Sequence, residues 1–200
     1  MATRRAGAAP ATRSETSSDL DDGSLLVRAR TDPEAFGLFY DRQHRAVLRY
    51  FLFHTGSAHL AAELTAETFA QALASLHGFD PARGSGAGWL FGIATHQFRR
   101  FLRRGEVDQR HRRRLRGVTP VATVDEVERA VERADADLLT PQLTSALSGL
   151  SEALRSAVLL RIAADLPYSE VAEQLGCSEG TARVRVARGL RQLVAAMVTR

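Results

Sequence analysis

The sequence predicts an all-α protein of two small helical domains joined by a flexible linker. Three observations carry this. Apolar residues recur at helical spacing in two separate blocks, residues 19–104 and 140–197. Between them, residues 105–139 hold a basic run, a Thr-Pro-Val-Ala stretch and an acidic run with few large apolar side chains, the composition of a linker. The third is the stretch from Tyr168 to Leu193, which reads as two short helices joined by a tight turn. With 200 residues, 44% hydrophobic and 25% charged, the chain can build two ordinary cores.

Residues 1–18 are Ala, Thr, Ser, Arg and Pro without periodicity and cannot offset the entropy of ordering, so a disordered tail is expected. Leu25, Leu26 and Val27 suggest a short helix. Thr31-Asp32-Pro33-Glu34 is a helix start, a capping residue followed by proline in the first turn. The helix it opens should run to about Phe53, with Phe36, Phe39, Tyr40, Val47, Leu48 and Phe51 recurring at helical spacing and Gly56-Ser57 ending it. The next, from His59 to about Leu76, sets His59, Glu63 and Glu67 four residues apart on one face.

FDPARGSGAG, from Phe79 to Gly88, is predicted to be a loop. It leads into WLFGIATHQFRRFLRR, a helix from Trp89 to Arg104. On a helical wheel Gly92, His96, Arg99 and Arg103 form one stripe, with Trp89 and Arg100 at its edge, while Leu90, Ile93, Ala94, Phe98 and Phe101 face away. A basic helix face beside an aromatic loop suits phosphate contact and capture of an unstacked base, although for Trp89 itself the core is the expected place. A further short helix is expected near Val124–Ala134. From Pro141, helical periodicity returns in Leu143, Ala146, Leu147 and Leu150, then in Leu154, Val158, Leu159 and Ile162.

These last helices should support the pair beginning at Tyr168. Val171, Ala172 and Leu175 are the apolar face of the first helix, Gly176 can take the left-handed backbone that ends it, and Ser178 can cap the second. In that second helix Arg183, Val184, Ala187 and Arg188 fall on one side, and Ala182, Val186, Leu190 and Leu193 on the other. One face packs and one is free to enter a groove. This is the pattern of a helix-turn-helix reader of DNA. Arginine suits guanine edges and phosphates because its planar fork donates two parallel hydrogen bonds.

The formal net charge is +4, but charge is strongly segregated. Arg99 to Arg116 holds nine arginines against Glu106 and Asp108, and Asp125 to Asp137 holds six acids against Arg129 and Arg133. All 27 basic residues are arginine. The one cysteine, Cys177, excludes an intramolecular disulfide, and in the helix-turn-helix turn it is expected to plug the core rather than act as a redox switch. With no long apolar run and no apolar signal core, a soluble, cytoplasmic protein without a membrane segment is expected.

With both halves in view, the order of motifs resembles the extracytoplasmic-function (ECF) group of bacterial RNA polymerase sigma factors, in the sigma-70 family. The resemblance covers Asp19 to Met197. It is carried by DPEAF from Asp32, ELTAETF from Glu63, FDPARG, GWLFGIATHQFRRFLRR, and LSEALRSAVLLRIAADLPYSEVAEQLGCSEGTARVRVARGLRQL. It implies a region 2-like helical bundle over 19–104 that binds core polymerase and the minus-ten element, a linker over 105–139, and a region 4-like helix-turn-helix domain over 140–197 for the minus-thirty-five element.

By resemblance, Glu63, Ala66 and Glu67 dock on the clamp helices of the beta-prime subunit. Phe79 and the loop after it receive a flipped nontemplate base, and Gly92 and His96 read the minus-ten element beside Arg99 and Arg103. Ser178, Thr181, Arg183, Val184, Ala187 and Arg188 contact the minus-thirty-five element. The implied partners are core RNA polymerase, through its clamp helices and beta flap, promoter DNA, and an anti-sigma factor; no cofactor and no catalysis are implied. The chain departs from the family at Ala66, where glutamine is usual, at His96, where asparagine is frequent, and at Gly92, where a larger polar residue often sits. Two other readings compete: a polymerase-independent helix-turn-helix regulator, which leaves the first half unexplained, and a metal-dependent enzyme using His59, Glu63 and Glu67. Three residues strung over two turns cannot converge on one ion without ligands from another helix.

Overall fold

The computed structural model describes residues 20–112 and 141–198, and no strand occurs among them. The tail predicted for residues 1–18, and most of the predicted linker with its short helix near Val124–Ala134, lie outside the described residues. Eight helices follow in order: α1 (Asp22–Ala29), α2 (Pro33–Thr55), α3 (Ala58–Ala74), α4 (Gly86–Arg112), α5 (Pro141–Ser148), α6 (Glu152–Val158), α7 (Tyr168–Leu175) and α8 (Glu179–Val198).

Local chemistry sets most of their ends. Asp21 caps α1 by accepting from the Ser24 N–H at 2.6 Å, a bond that holds its carboxyl below the ordinary aspartate value. Asp32 caps α2 through the Glu34 N–H, with Pro33 in the first turn, as the sequence predicts. That helix ends where Gly56 turns left-handed at φ +64°. α4 begins at Gly86, inside the predicted loop, because the Ser85 hydroxyl accepts from the Gly88 N–H at 2.9 Å. It runs on to Arg112 past Gly105, since one glycine costs a helix only about 1 kcal/mol and no proline follows within it.

α1 to α4 close on an aromatic core. Phe39, Phe51, Phe91 and Tyr50 are fully buried, and Phe98 nearly so. Tyr50 meets Phe51, Phe91 and Phe98 edge-on with ring centroids 5.3 to 6.5 Å apart. Burial pushes its phenol up to about 12, against a contact to the Thr95 hydroxyl at 3.4 Å. Tyr40, one of the residues recurring at helical spacing, lies at the rim, stacked on His44 and edge-on to Phe69.

In the second half, α6 continues into a π-helical turn, Leu159–Ala163, whose Leu159 and Leu160 are buried. The Arg155 guanidinium gathers the carbonyls of Leu147, Ser148 and Leu150 at 2.8 to 3.1 Å, satisfying the C-terminal end of α5. α8 packs across α6 at Gly189, where a Cβ would stand 2.5 Å from Val158 Cγ2. The two halves are in contact: buried residues of both belong to one continuous apolar cluster, and α7 lies on α4.

The glycines of α8 give opposite expectations. Gly180 has open space around its Cβ position, so Gly180→Ala should stabilise the chain by up to about 1 kcal/mol. Gly189→Ala should instead cost about 1–3 kcal/mol by forcing α8 off α6. Urea unfolding of both variants measures the difference; a destabilised Gly180→Ala with an unaffected Gly189→Ala would contradict this packing.

Candidate nucleic-acid interface

The second face of α8 is built by the turn that precedes it. Gly176 takes φ +60°, and its N–H and that of Cys177 return to the carbonyls of Glu173 and Ala172. The Ser178 hydroxyl then accepts from the Thr181 N–H at 3.2 Å and pairs with the Thr181 hydroxyl at 2.9 Å. Cys177 is half-buried against the core. Ala182, Val186 and Leu193 are buried, as the wheel predicts, whereas Leu190 is 38% exposed because Gly189 takes the close-packed position beside it. Ser178, Thr181, Arg183, Val184, Ala187 and Arg188 all lie exposed on the opposite side.

Arg183 is held in place there. Its guanidinium donates to the Glu179 carboxylate and lies over the Tyr168 ring, 4.5 Å from the centroid, with Arg161 at 5.4 Å from the same centroid. The sequence offers no cue to Tyr168 in this role, because its ring reaches Arg183 across the turn rather than along a helix face.

On α4 the two sides separate equally well. Leu90, Phe91, Ala94 and Phe98 are buried, while His96, Arg99 and Arg103 are exposed. Gly92 is half-buried. Beside this stripe a cleft of about 690 Å³ is lined by Trp89, His96, Arg83, Arg99 and Arg100 and by Glu170, Glu173 and Gln174 of α7. Phe79 is 3% exposed: its ring packs on Trp89 at 5.4 Å and its carbonyl accepts from Arg30, so the loop reaches the cleft through its backbone and neighbours rather than through an open Phe79 ring. Trp89 is half-buried.

Four hydrogen bonds that sequence reading misses join α7 to this stripe. The Ser85 N–H and hydroxyl donate to the two Glu170 carboxylate oxygens at 3.0 and 2.7 Å. Gln174 Nε2 donates to the Gly88 carbonyl at 3.1 Å, and Arg99 donates to the Gln174 carbonyl at 2.8 Å. Elsewhere between the halves, the buried His54 of α2 stands 3.3 Å from the Glu152 carboxylate. Burial alone would raise that carboxyl, but His54, Ser156 and Arg155 outweigh it and hold it below the ordinary glutamate value.

Glu63, Ala66 and Glu67 share an exposed face of α3, with Glu63 60% exposed and 3.4 Å from His59. Among the described residues no three His, Cys, Asp or Glu side chains are placed to hold a metal ion, so His59, Glu63 and Glu67 do not form the centre that the enzyme reading requires. Nor is any described helix long and apolar enough to cross a membrane.

Two family models match the chain: Sigma-70 region 2 over residues 39–106 and Sigma-70, region 4 over residues 141–193. The chain is 33% identical over 172 residues to the ECF RNA polymerase sigma factor SigC of Mycobacterium tuberculosis, covering 85% of this chain and 87% of the relative. It is 32% identical over 183 residues to SigE of Mycolicibacterium smegmatis, covering 88% and 68%. Among solved structures, CnrH in complex with the cytosolic domain of CnrY superposes with a TM-score of 0.61 at 22% identity, covering 87% of this chain and 95% of that one. The sigma factor RpoE of Bartonella quintana, in complex with the anti-sigma factor NepR, gives 0.66 at 22% identity, covering 84% and 99%. These two likenesses bear on the fold. The matched regions contain the two basic helix faces, and together with the curated relatives they establish that the chain belongs to the ECF RNA polymerase sigma factors of the sigma-70 family.

Proposed function

We propose that promoter reading is divided between the two halves, each presenting one exposed basic helix face backed by a buried apolar face. As a sigma factor the chain binds core RNA polymerase and directs it to promoters. Within that function, residues 19–104 would read the minus-ten element through Gly92 and His96, with Arg99 and Arg103 on phosphates. Residues 140–197 would read the minus-thirty-five element through the exposed side of α8. The two-sidedness of α8 carries this reading: Val184 and Ala187 are short enough to let the helix approach base edges, and Arg183 is already oriented by the Tyr168 ring. Proteins of this family are initiation factors rather than enzymes, and we assign this chain no catalysis and a place in the cytoplasm with the polymerase. An anti-sigma protein is a further proposed partner, as NepR is for RpoE.

The exposed acidic face of α3 is the proposed docking surface for the beta-prime clamp helices. Glu63→Arg with Glu67→Arg should weaken binding to core polymerase while changing stability by less than about 1 kcal/mol, since exposed charges steer association more than they hold a fold. Titration of labelled protein with core polymerase reads this, and unchanged affinity would remove the docking assignment.

For DNA, the measurement is holoenzyme binding to promoter variants changed one base pair at a time. Arg183→Ala or Arg188→Ala should cost about 1–3 kcal/mol at one minus-thirty-five base pair and relax preference there. Arg99→Ala should weaken binding evenly across sequences and make the salt dependence shallower by about one unit. His96→Ala should alter preference in the minus-ten element alone. A His96→Ala effect confined to the minus-thirty-five element would overturn the assignment of halves to elements.

A further inference from the structure

Among the described residues six polar side chains are buried: His54, Thr65, Thr68, Thr95, Gln97 and Ser156. All but Gln97 have a polar partner. Thr65 and Thr68 donate to carbonyls of their own helix at 2.7 Å, Ser156 donates to Glu152 at 2.9 Å, Thr95 meets Tyr50 at 3.4 Å and His54 faces Glu152 at 3.3 Å. The Gln97 amide makes no hydrogen bond to any described residue, although the side chain is only 5% exposed. Keeping such a group without partners is costly, so its place calls for an explanation. Its amide is not sealed in: it opens onto the floor of the cleft, in one stripe of α4 with Ile93 and Arg100.

Depth decides what this amide can meet. His96, the residue before it, is exposed and can follow a groove, whereas Gln97 lies behind the helix surface, out of reach of a base held inside a duplex. A base turned out of the stack can enter the cleft. The Phe79 ring is closed to such a base, being 3% exposed and packed on Trp89. An amide carries a donor and an acceptor side by side, which suits it to pair with the edge of a base.

We propose that Gln97 is a specificity-determining residue of α4: its amide pairs with the edge of one unstacked base when the promoter opens. This rests on the reading of α4 as the minus-ten surface, and the experiment separates the two.

Two full-length variants keep the length of the side chain and change its hydrogen bonding. Gln97→Met removes it, and Gln97→Glu leaves a group that only accepts. Each is assembled with core polymerase and titrated with promoter DNA whose minus-ten element is either fully paired or pre-opened as a mismatched bubble, each nontemplate base of the bubble being varied in turn. Thermal denaturation follows the free proteins. On pre-opened DNA the parent should separate the best base from the worst at one position by roughly 5- to 150-fold, as a bidentate pair does, and Gln97→Met should bring that position within about twofold. Gln97→Glu should raise the preference for adenine and cytosine over guanine and thymine at the same position, because a carboxylate accepts from an amino group and is repelled by a carbonyl. Gln97→Met should melt no lower than the parent, since it replaces an amide without partners.

These changes at a single position of pre-opened DNA support the proposal. Unchanged preference at every position overturns it. So does an equal change on fully paired DNA, which would put the contact in a groove, and so does a uniform loss of binding or a clearly lower melting temperature for Gln97→Met, which would mark a structural residue. If Gln97→Met is silent while His96→Ala alters minus-ten preference, the α4 reading stands without Gln97; if both are silent, the α4 assignment falls with it.

Discussion

A helix turns about 100° per residue, and α4 puts that constraint to two uses. Leu90, Phe91, Ala94 and Phe98 close the aromatic core around Tyr50, which fixes the helix rigidly in the bundle. Because that side is immobilised, His96, Arg99 and Arg103 emerge on the other at set positions. The cleft, the loop carrying Phe79 and the contact with α7 are all referred to this one axis. Loosening the core would therefore blur the interface before it unfolded the chain.

What the sequence made legible was whatever is encoded locally. Asp32-Pro33, Gly56, and the Gly176-to-Ser178 turn each act within a few residues through a cap or a left-handed backbone, and each appears as expected. The exposed side of α8 and the acidic side of α3 follow from periodicity alone. The start of α4 was hidden because a glycine-rich stretch looks like loop, and only the Ser85 cap turns it into helix. Resemblance alone assigned Phe79 to a flipped base, and no local signal in the sequence shows that its ring is buried here against Trp89. Contacts between the halves were the least legible. A glycine that makes room for Gln174 is indistinguishable, in sequence, from one that merely lacks a side chain, and nothing near His54 announces Glu152 some hundred residues away.

The exclusive use of arginine has a structural counterpart at Tyr168. A guanidinium is planar and weakly hydrated, so it can lie flat on an aromatic face and still present its edge outward. Arg183 sets its guanidinium over that ring while donating to Glu179, and Arg161 reaches the same ring while bonding Asp165. One tyrosine thereby organises charge from two helical segments. A compact ammonium, hydrated on all sides, would gain less from the ring and could not share its donors in the same plane.

The division of α8 into a packed and an open side has an evolutionary consequence. Ala182, Val186, Gly189 and Leu193 secure the helix to the rest of the second half, and none of them belongs to the exposed set around Arg183 and Arg188. Substitutions on the open side therefore leave the core volume unchanged and fall among the surface changes that alter stability least. On the proposed division of promoter reading, target preference can drift residue by residue on a scaffold that selection holds still, so duplicated copies of such a gene can acquire new regulons without first having to solve the folding problem again.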